Sequence, residues 1–99
     1  MKKMLYILGD EIANVTGIQA TVCRGMMRLT AEKVCDSINP MIIEAFIEKL
    51  DFFGWQNIIN DPSFSQRLAN MGIKNVPGVV AQAKRTLVER QSLFTLAAR

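Results

Sequence analysis

The acidic side chains with the most suggestive spacing are Glu44, Glu48 and Asp51, which follow one another at intervals of four and three residues. Side chains three and four apart lie on one face of a helix. A carboxylate trio on such a face could bind a divalent cation or exchange protons with a substrate. The same spacing is more often a solvated helix face, and Lys49 lies beside it. We therefore expect no catalytic or metal site from these residues.

The two thiols, Cys23 and Cys35, are the other reactive side chains. Arg24 follows Cys23, and a neighbouring cation can lower the pKa of a thiol. On a single helix the two sulfur atoms would lie roughly 18 Å apart, beyond disulfide reach. Without a nearby base or resolving cysteine, we expect reduced thiols that fill small apolar spaces.

Histidine, the most common general base and metal ligand at neutral pH, does not occur among the 99 residues. Two cysteines without a histidine cannot complete a structural zinc site within one chain. Neither of the glycine-rich phosphate-binding patterns, GxGxxG or GxxxxGK[ST], is present. The sequence thus predicts a protein that is not an enzyme and that needs no cofactor and no metal.

The elements that must position any functional side chain are helices, because apolar residues recur at intervals of three and four along nearly the whole chain. Asn39-Pro40 and Asp61-Pro62 have the form of helix starts, and Gly17 has the form of a helix end. The prediction is an all-α fold: a compact bundle of four to five short helices in a single helical domain, residues 1–99. The expected helices cover about residues 3–15, 20–37, 40–59, 62–71 and 77–97.

The second of these helices has a predicted apolar stripe. Its members, expected to face the core, are Ile18, Val22, Met26, Leu29, Val34 and Ile38. In the third helix the corresponding stripe would run from Ile43 to Phe53, with Gly54 ending or kinking the helix.

The stretch DEIANVTGIQATVCRG, residues 10–25, has the residue types of two helices joined by a glycine turn. A helix-turn-helix needs a small residue in its first helix, a glycine at the turn and a β-branched residue pointing inward from the second helix. Ala13, Gly17 and Val22 are candidates for these positions. Over about twenty residues the chain resembles helix-turn-helix DNA-binding regulators.

This resemblance implies a nucleic-acid contact by the outward side chains Gln19, Arg24 and Arg28, of which the two arginines are four apart and share a face. In the family pattern the inward valine lies six residues after the turn glycine. From Gly17 to Val22 the distance is five. The same residues are also compatible with an ordinary pair of helices.

Contact with another protein is the function that the composition favours most. Apolar residues make up 49% of the chain, which is high for so small a domain and predicts apolar surface buried against a second copy or another protein. We therefore expect a small non-enzymatic adaptor, regulatory or assembly protein, self-associating as a homodimer; the alternative is a DNA-binding regulator. The candidate interface residues are Phe52, Phe53, Trp55, Leu93, Phe94 and Leu96.

The hydropathy pattern predicts a cytoplasmic chain that does not span a membrane, whereas the uneven charge is compatible with nucleic acid, an acidic partner protein or ordinary solvated helix faces. The net charge is +3, with an acidic segment at residues 41–62 and a basic one at residues 63–99. The apolar run after Lys2 and Lys3 stops at Gly9, too short for a secretory signal, and no stretch has the roughly 18 apolar residues of a membrane span.

Overall fold

The computed structural model describes residues 3–92 and residue 94, and within them the chain is all-α, as predicted. Six helices are present in this part of the chain, one or two more than expected, and it contains no strand. The helices are α1 (Met4–Thr16), α2 (Ala20–Cys35), α3 (Pro40–Lys49), α4 (Phe52–Asn60), α5 (Pro62–Asn70) and α6 (Val76–Glu89).

The extra helix arises because the single helix expected over residues 40–59 is divided in two. Leu50 leaves the helical conformation with φ −62° and ψ 124°. Asp51 then caps α4, its side chain accepting a hydrogen bond of 2.8 Å from the backbone N–H of Gly54. Gly54 therefore lies in the first turn of a helix and does not end one. The break reorients the chain so that Ile47 and Trp55 can both reach the core.

Other helix ends follow the sequence signals. Gly17 has φ +78° and donates its N–H to the carbonyl of Ala13, so it is the C-cap that its position predicted. Asn39 accepts a hydrogen bond from the N–H of Met41 at the start of α3. Helix α6 ends at Glu89, and residues 93 and 95–97 of the predicted last helix lie outside the described residues.

The core lies where the helices converge. Helix α1 packs against α2 and α6, α4 and α5 close the other side, and α3 packs principally on α2. All six helices contribute to the largest completely enclosed side chains, which include Phe64, Leu8, Ile12, Met27, Ile43, Ile58, Ile59, Leu68 and Leu87.

Helix α2 buries a different face from the predicted one. Its buried side chains are Cys23, Met26, Met27, Thr30 and Ala31. Of the predicted stripe only Met26 is buried; Val22, Leu29, Val34 and Ile38 are exposed, and Ile18 is half-buried. Thr30 can take a core position because its hydroxyl donates to the carbonyl of Met26 at 2.9 Å, which satisfies its only side-chain donor. Because Cys23, Thr30 and Ala31 have small side chains, α2 can lie close to its neighbouring helices.

Within residues 3–92 and 94, no helix has the length and apolar character that crossing a membrane requires.

Candidate functional site

The turn between α1 and α2 is held by local hydrogen bonds. Thr16 donates its hydroxyl to the carbonyl of Ile12 and accepts the N–H of Ile18, which fixes the chain on both sides of Gly17. The inward residue that follows is Cys23, which is fully buried, whereas Val22 is 37% exposed. Cys23 lies six residues after Gly17, so the inward position has the spacing of the helix-turn-helix pattern. The separation of five residues, which was counted to Val22, therefore does not apply, because Cys23 and not Val22 points inward.

Arg24 is held against α1 and does not extend into solvent. Its Nη1 lies 3.6 Å from Oδ1 of Asp10, and its guanidinium carbon lies 4.8 Å from the centre of the Tyr6 ring. A Cβ on Gly9 would come within 2.6 Å of Cγ of Arg24, so the glycine makes room for the arginine stem. The charge of Arg24 is thus neutralised by a carboxylate and stacked on an aromatic face.

Arg28, one turn further along, contacts α3. Its Nη1 donates to Oε2 of Glu44 at 2.6 Å, a charge-assisted hydrogen bond. This bond lowers the pKa of Glu44 below its usual range. Both arginines that the sequence offers to nucleic acid therefore meet carboxylates of the same chain. The third candidate, Gln19, is exposed at the start of α2 and forms no side-chain cap.

The three carboxylates considered for metal binding or catalysis, Glu44, Glu48 and Asp51, also have structural partners. Glu44 and Glu48 lie 3.8 and 3.1 Å from Nζ of Lys3. The hydrogen bond from Lys3 to Glu48 raises the pKa of that lysine. Asp51 is the N-cap of α4. The two glutamates pair with Lys3, whereas Asp51 binds the backbone at the start of α4. The three carboxylates therefore do not form a common binding site.

The thiols do not form a reactive pair. Burial raises the pKa of Cys23, which lowers the fraction of thiolate at neutral pH. Both Cys23 and Cys35 are free. Among residues 3–92 and 94, no group of three or more cysteine, aspartate or glutamate side chains could hold a metal ion.

The aromatic interface candidates separate into different environments. Trp55 is 2% exposed and belongs to the core, so it has no surface to offer a partner. Phe52 and Phe94 are half-buried, with ring centres 6.3 Å apart in an edge-to-face arrangement. Phe53 is 69% exposed. Leu93 and Leu96 lie outside the described residues, so their predicted contribution stays a prediction.

The two most exposed of the large apolar side chains that the structure describes lie at the start of α3, with further exposed apolar residues beside them. Ile38 is 97% exposed, Met41 82% and Ile42 51%. Ala45, one turn after Met41, is exposed as well. We call these four residues, Ile38, Met41, Ile42 and Ala45, the α3 stripe. Met41, Ile42 and Ala45 lie within about 100° of one another on α3, and Ile38 immediately precedes the N-cap of the helix.

A groove of about 480 Å³ runs beside this stripe, between the end of α2 and α5. Its apolar lining comes from Leu29 and Ile38, and its polar lining includes Arg67, whose buried Nε has no hydrogen-bond partner. Lys33 at its edge is paired with Asp61 at 2.9 Å. The groove extends the apolar surface around Ile38 toward α2.

The exposure of the α3 stripe could have been predicted from the sequence. Asn39-Pro40 places Ile38 ahead of the helix, outside the periodic run of α2. Once Ile43 faces the core, Met41 and Ala45 are each rotated about 200° away from it, because successive helical residues differ by about 100°. Both must then face outward.

Comparison of the chain with protein-family models, with curated proteins and with solved structures finds no match.

Proposed function

We propose that this is a non-enzymatic helical protein that acts by binding another polypeptide through the α3 stripe. The observation that carries the proposal is the near-complete exposure of Ile38 and Met41 at the start of α3. Exposed apolar side chains that are scattered singly need no explanation, but a contiguous set marks an interaction surface.

The charges around the stripe support a protein partner over a nucleic acid. Glu44 and Glu48 flank it on α3, and Arg28 and Lys3 are already paired with them. On α3 itself this leaves Lys49 as the cation without an ion pair among the described residues. One such cation offers little to a phosphate backbone, whose neutralisation supplies most of the affinity in nucleic-acid binding.

Methionine suits a protein-binding surface of this kind. Its flexible thioether side chain adapts to the shape of whatever packs on it, and it recurs on surfaces that bind other polypeptides. Met41 is at the centre of the α3 stripe, one turn from Ala45 and three residues from Ile38.

Photo-crosslinking tests this proposal without knowledge of the partner. A crosslinking amino acid at Met41 is compared in cells with the same group at Met71, an exposed methionine that follows α5. We expect a product of defined mass from position 41 that is absent from position 71 and that disappears when Ile38→Lys is added. Equal labelling from both positions, or no product from position 41, would overturn the proposal.

The alternative function, duplex DNA binding by α2, draws support from the six-residue spacing between Gly17 and Cys23. It requires Arg24 and Arg28 to exchange their carboxylate partners for phosphates or base edges. If it holds, duplex binding at about 50 mM salt is measurable, weakens steeply as salt rises, and is reduced in Arg24→Ala. No duplex binding under those conditions contradicts it.

A further inference from the structure

We propose that the partner of the α3 stripe is a second copy of this chain, bound about a two-fold axis with the two α3 helices antiparallel. This inference rests on the proposed function and names its partner. It is carried by the exposure pattern of α3 together with two charged residues at opposite ends of the stripe, Asp36 and Lys49.

The first observation concerns Ile38. Because it directly precedes the N-cap of α3, its side chain would be expected to pack on a residue of that helix. It precedes the N-cap Asn39, and a residue there often packs on the fourth helical residue, which here is Ile43. Ile43 is buried, but Ile38 is almost fully exposed, so this local contact does not cover it. The side chain is left open to solvent just after the end of α2, where another molecule can reach it.

The second observation is that the two flanks of α3 differ. The flank bearing Glu44 and Glu48 is neutralised by Arg28 and Lys3 of the same chain. Lys49, seven residues after Ile42 and four after Ala45, lies on the same face of α3 as the stripe, at its C-terminal end; it is exposed and has no ion pair with any described residue. Asp36, which follows the end of α2, is likewise exposed and forms no ion pair within the described part of the chain.

The positions of these two charges select the second copy and its direction. In an antiparallel pair centred between Ile42 and Ala45, the Lys49 end of one helix lies beside the Ile38 end of the other, within reach of Asp36. A two-fold axis repeats this contact, so that two Lys49–Asp36 pairs enclose the apolar stripes. A parallel pair would instead bring like charges together at both ends, which is unfavourable.

The size of the stripe sets the strength of the expected association. From Met41 to Lys49 the helix rises only about 12 Å at 1.5 Å per residue, and four side chains form its apolar centre. Interfaces below about 1,200 Å² are typically weak and transient. We therefore expect a reversible dimer with a dissociation constant on the order of 1–100 µM.

Sedimentation equilibrium of the full chain from about 5 to 500 µM tests the dimer. The weight-average mass should rise from the monomer value of 11.1 kDa toward twice that value. Met41→Lys should weaken association at least tenfold, whereas Met71→Lys, the same change outside the stripe, should leave it unchanged. Circular dichroism verifies that both variants remain helical. A monomer over the whole range, or equal effects of the two substitutions, would overturn the inference.

A charge reversal tests the direction of the helices. Lys49→Glu should weaken an antiparallel dimer several-fold, because it places a second carboxylate beside Asp36 of the other copy. Lys74→Glu, at another exposed lysine that has no ion pair among the described residues, is the matched control. Equal dissociation constants for the two variants would contradict the antiparallel arrangement. If the wild type is a monomer but Met41 crosslinks to a different polypeptide, only the two-copy inference fails and the proposed function stands.

Discussion

Arg28 on α2 donates to Glu44 on α3, with 2.6 Å between Nη1 and Oε2. The contact joins α2 and α3, which are connected by the segment that contains Ile38. It also pairs with a carboxylate of the same chain the guanidinium group that the sequence indicates as a candidate nucleic-acid contact. Lys3 lies 3.8 Å from the same carboxylate, so Glu44 holds the N-terminal end of the described chain and α2 to one side of α3. The α3 stripe lies next to this pair and is left exposed.

The Arg28–Glu44 pair should contribute only modestly to stability, because its side chains are 37% and 43% exposed and water screens the attraction. We expect a coupling energy of about 0.5–1 kcal/mol from a double-mutant cycle of Arg28→Ala and Glu44→Gln, measured by urea unfolding. The coupling should fall when salt is raised to about 1 M. A coupling near zero at low salt would show that the pair does not hold α3 in place.

Asp61 should make the protein sensitive to acid. The Ser63 hydroxyl and then the Lys33 ammonium hold the pKa of Asp61 at about 2. An unfolded aspartate has a pKa of about 3.9, so the folded value is depressed and the stabilisation is present above about pH 4 and lost as the pH falls toward about 2. Between about pH 5 and about pH 2, the wild type should lose about 1–2 kcal/mol more unfolding free energy than Asp61→Asn.

Two variants separate the causes of this effect. Asp61→Asn keeps an oxygen that can accept the N–H of Ser63 and cap α5, but it removes the titration. Lys33→Met removes the ion pair and leaves the Ser63 hydrogen bonds, so its acid sensitivity should be intermediate. Identical pH profiles for the wild type and Asp61→Asn would contradict the low pKa.

Phe64 and Phe53 should respond differently to the same truncation. Phe64 is completely buried, so Phe64→Ala leaves a cavity and should cost about 3–5 kcal/mol in unfolding free energy. Phe53 is mostly exposed, and Phe53→Ala should cost less than about 1 kcal/mol. Thermal or urea unfolding measures both. If the two costs were similar, the burial assigned to α4 and α5 would be incorrect.

Two glycines provide a matched test of backbone conformation. An added Cβ at Gly25, inside α2, would meet nothing within 4 Å beyond the backbone of its own helix, so Gly25→Ala should stabilise the protein by about 0.5–1 kcal/mol. Gly17 also has open space around it, but its φ of +78° disfavours any L side chain. Gly17→Ala should therefore destabilise by about 1 kcal/mol. A shared sign for the two changes in melting temperature would contradict this structure of the α1–α2 turn.

The sequence by itself determined the features that depend on neighbouring residues. The helical class follows from the spacing of apolar residues, and the caps at Gly17 and Asn39 follow from side chains or dihedral angles that act within four residues. The division at Leu50 is local as well, since Asp51 caps α4, but the continuous apolar run through residues 43–53 concealed it.

Tertiary structure alone decided which face each helix buries and what the charged side chains contact. A periodic stripe on α2 is compatible with several rotations, and packing against α1 selected Cys23 over Val22 for the interior. The partners of Arg24 and Arg28 are fourteen and sixteen residues away, on other helices. No spacing rule within one helix specifies such contacts, because they depend on how the helices pack. The same packing leaves Ile38 and Met41 facing solvent, at the surface assigned to the second copy.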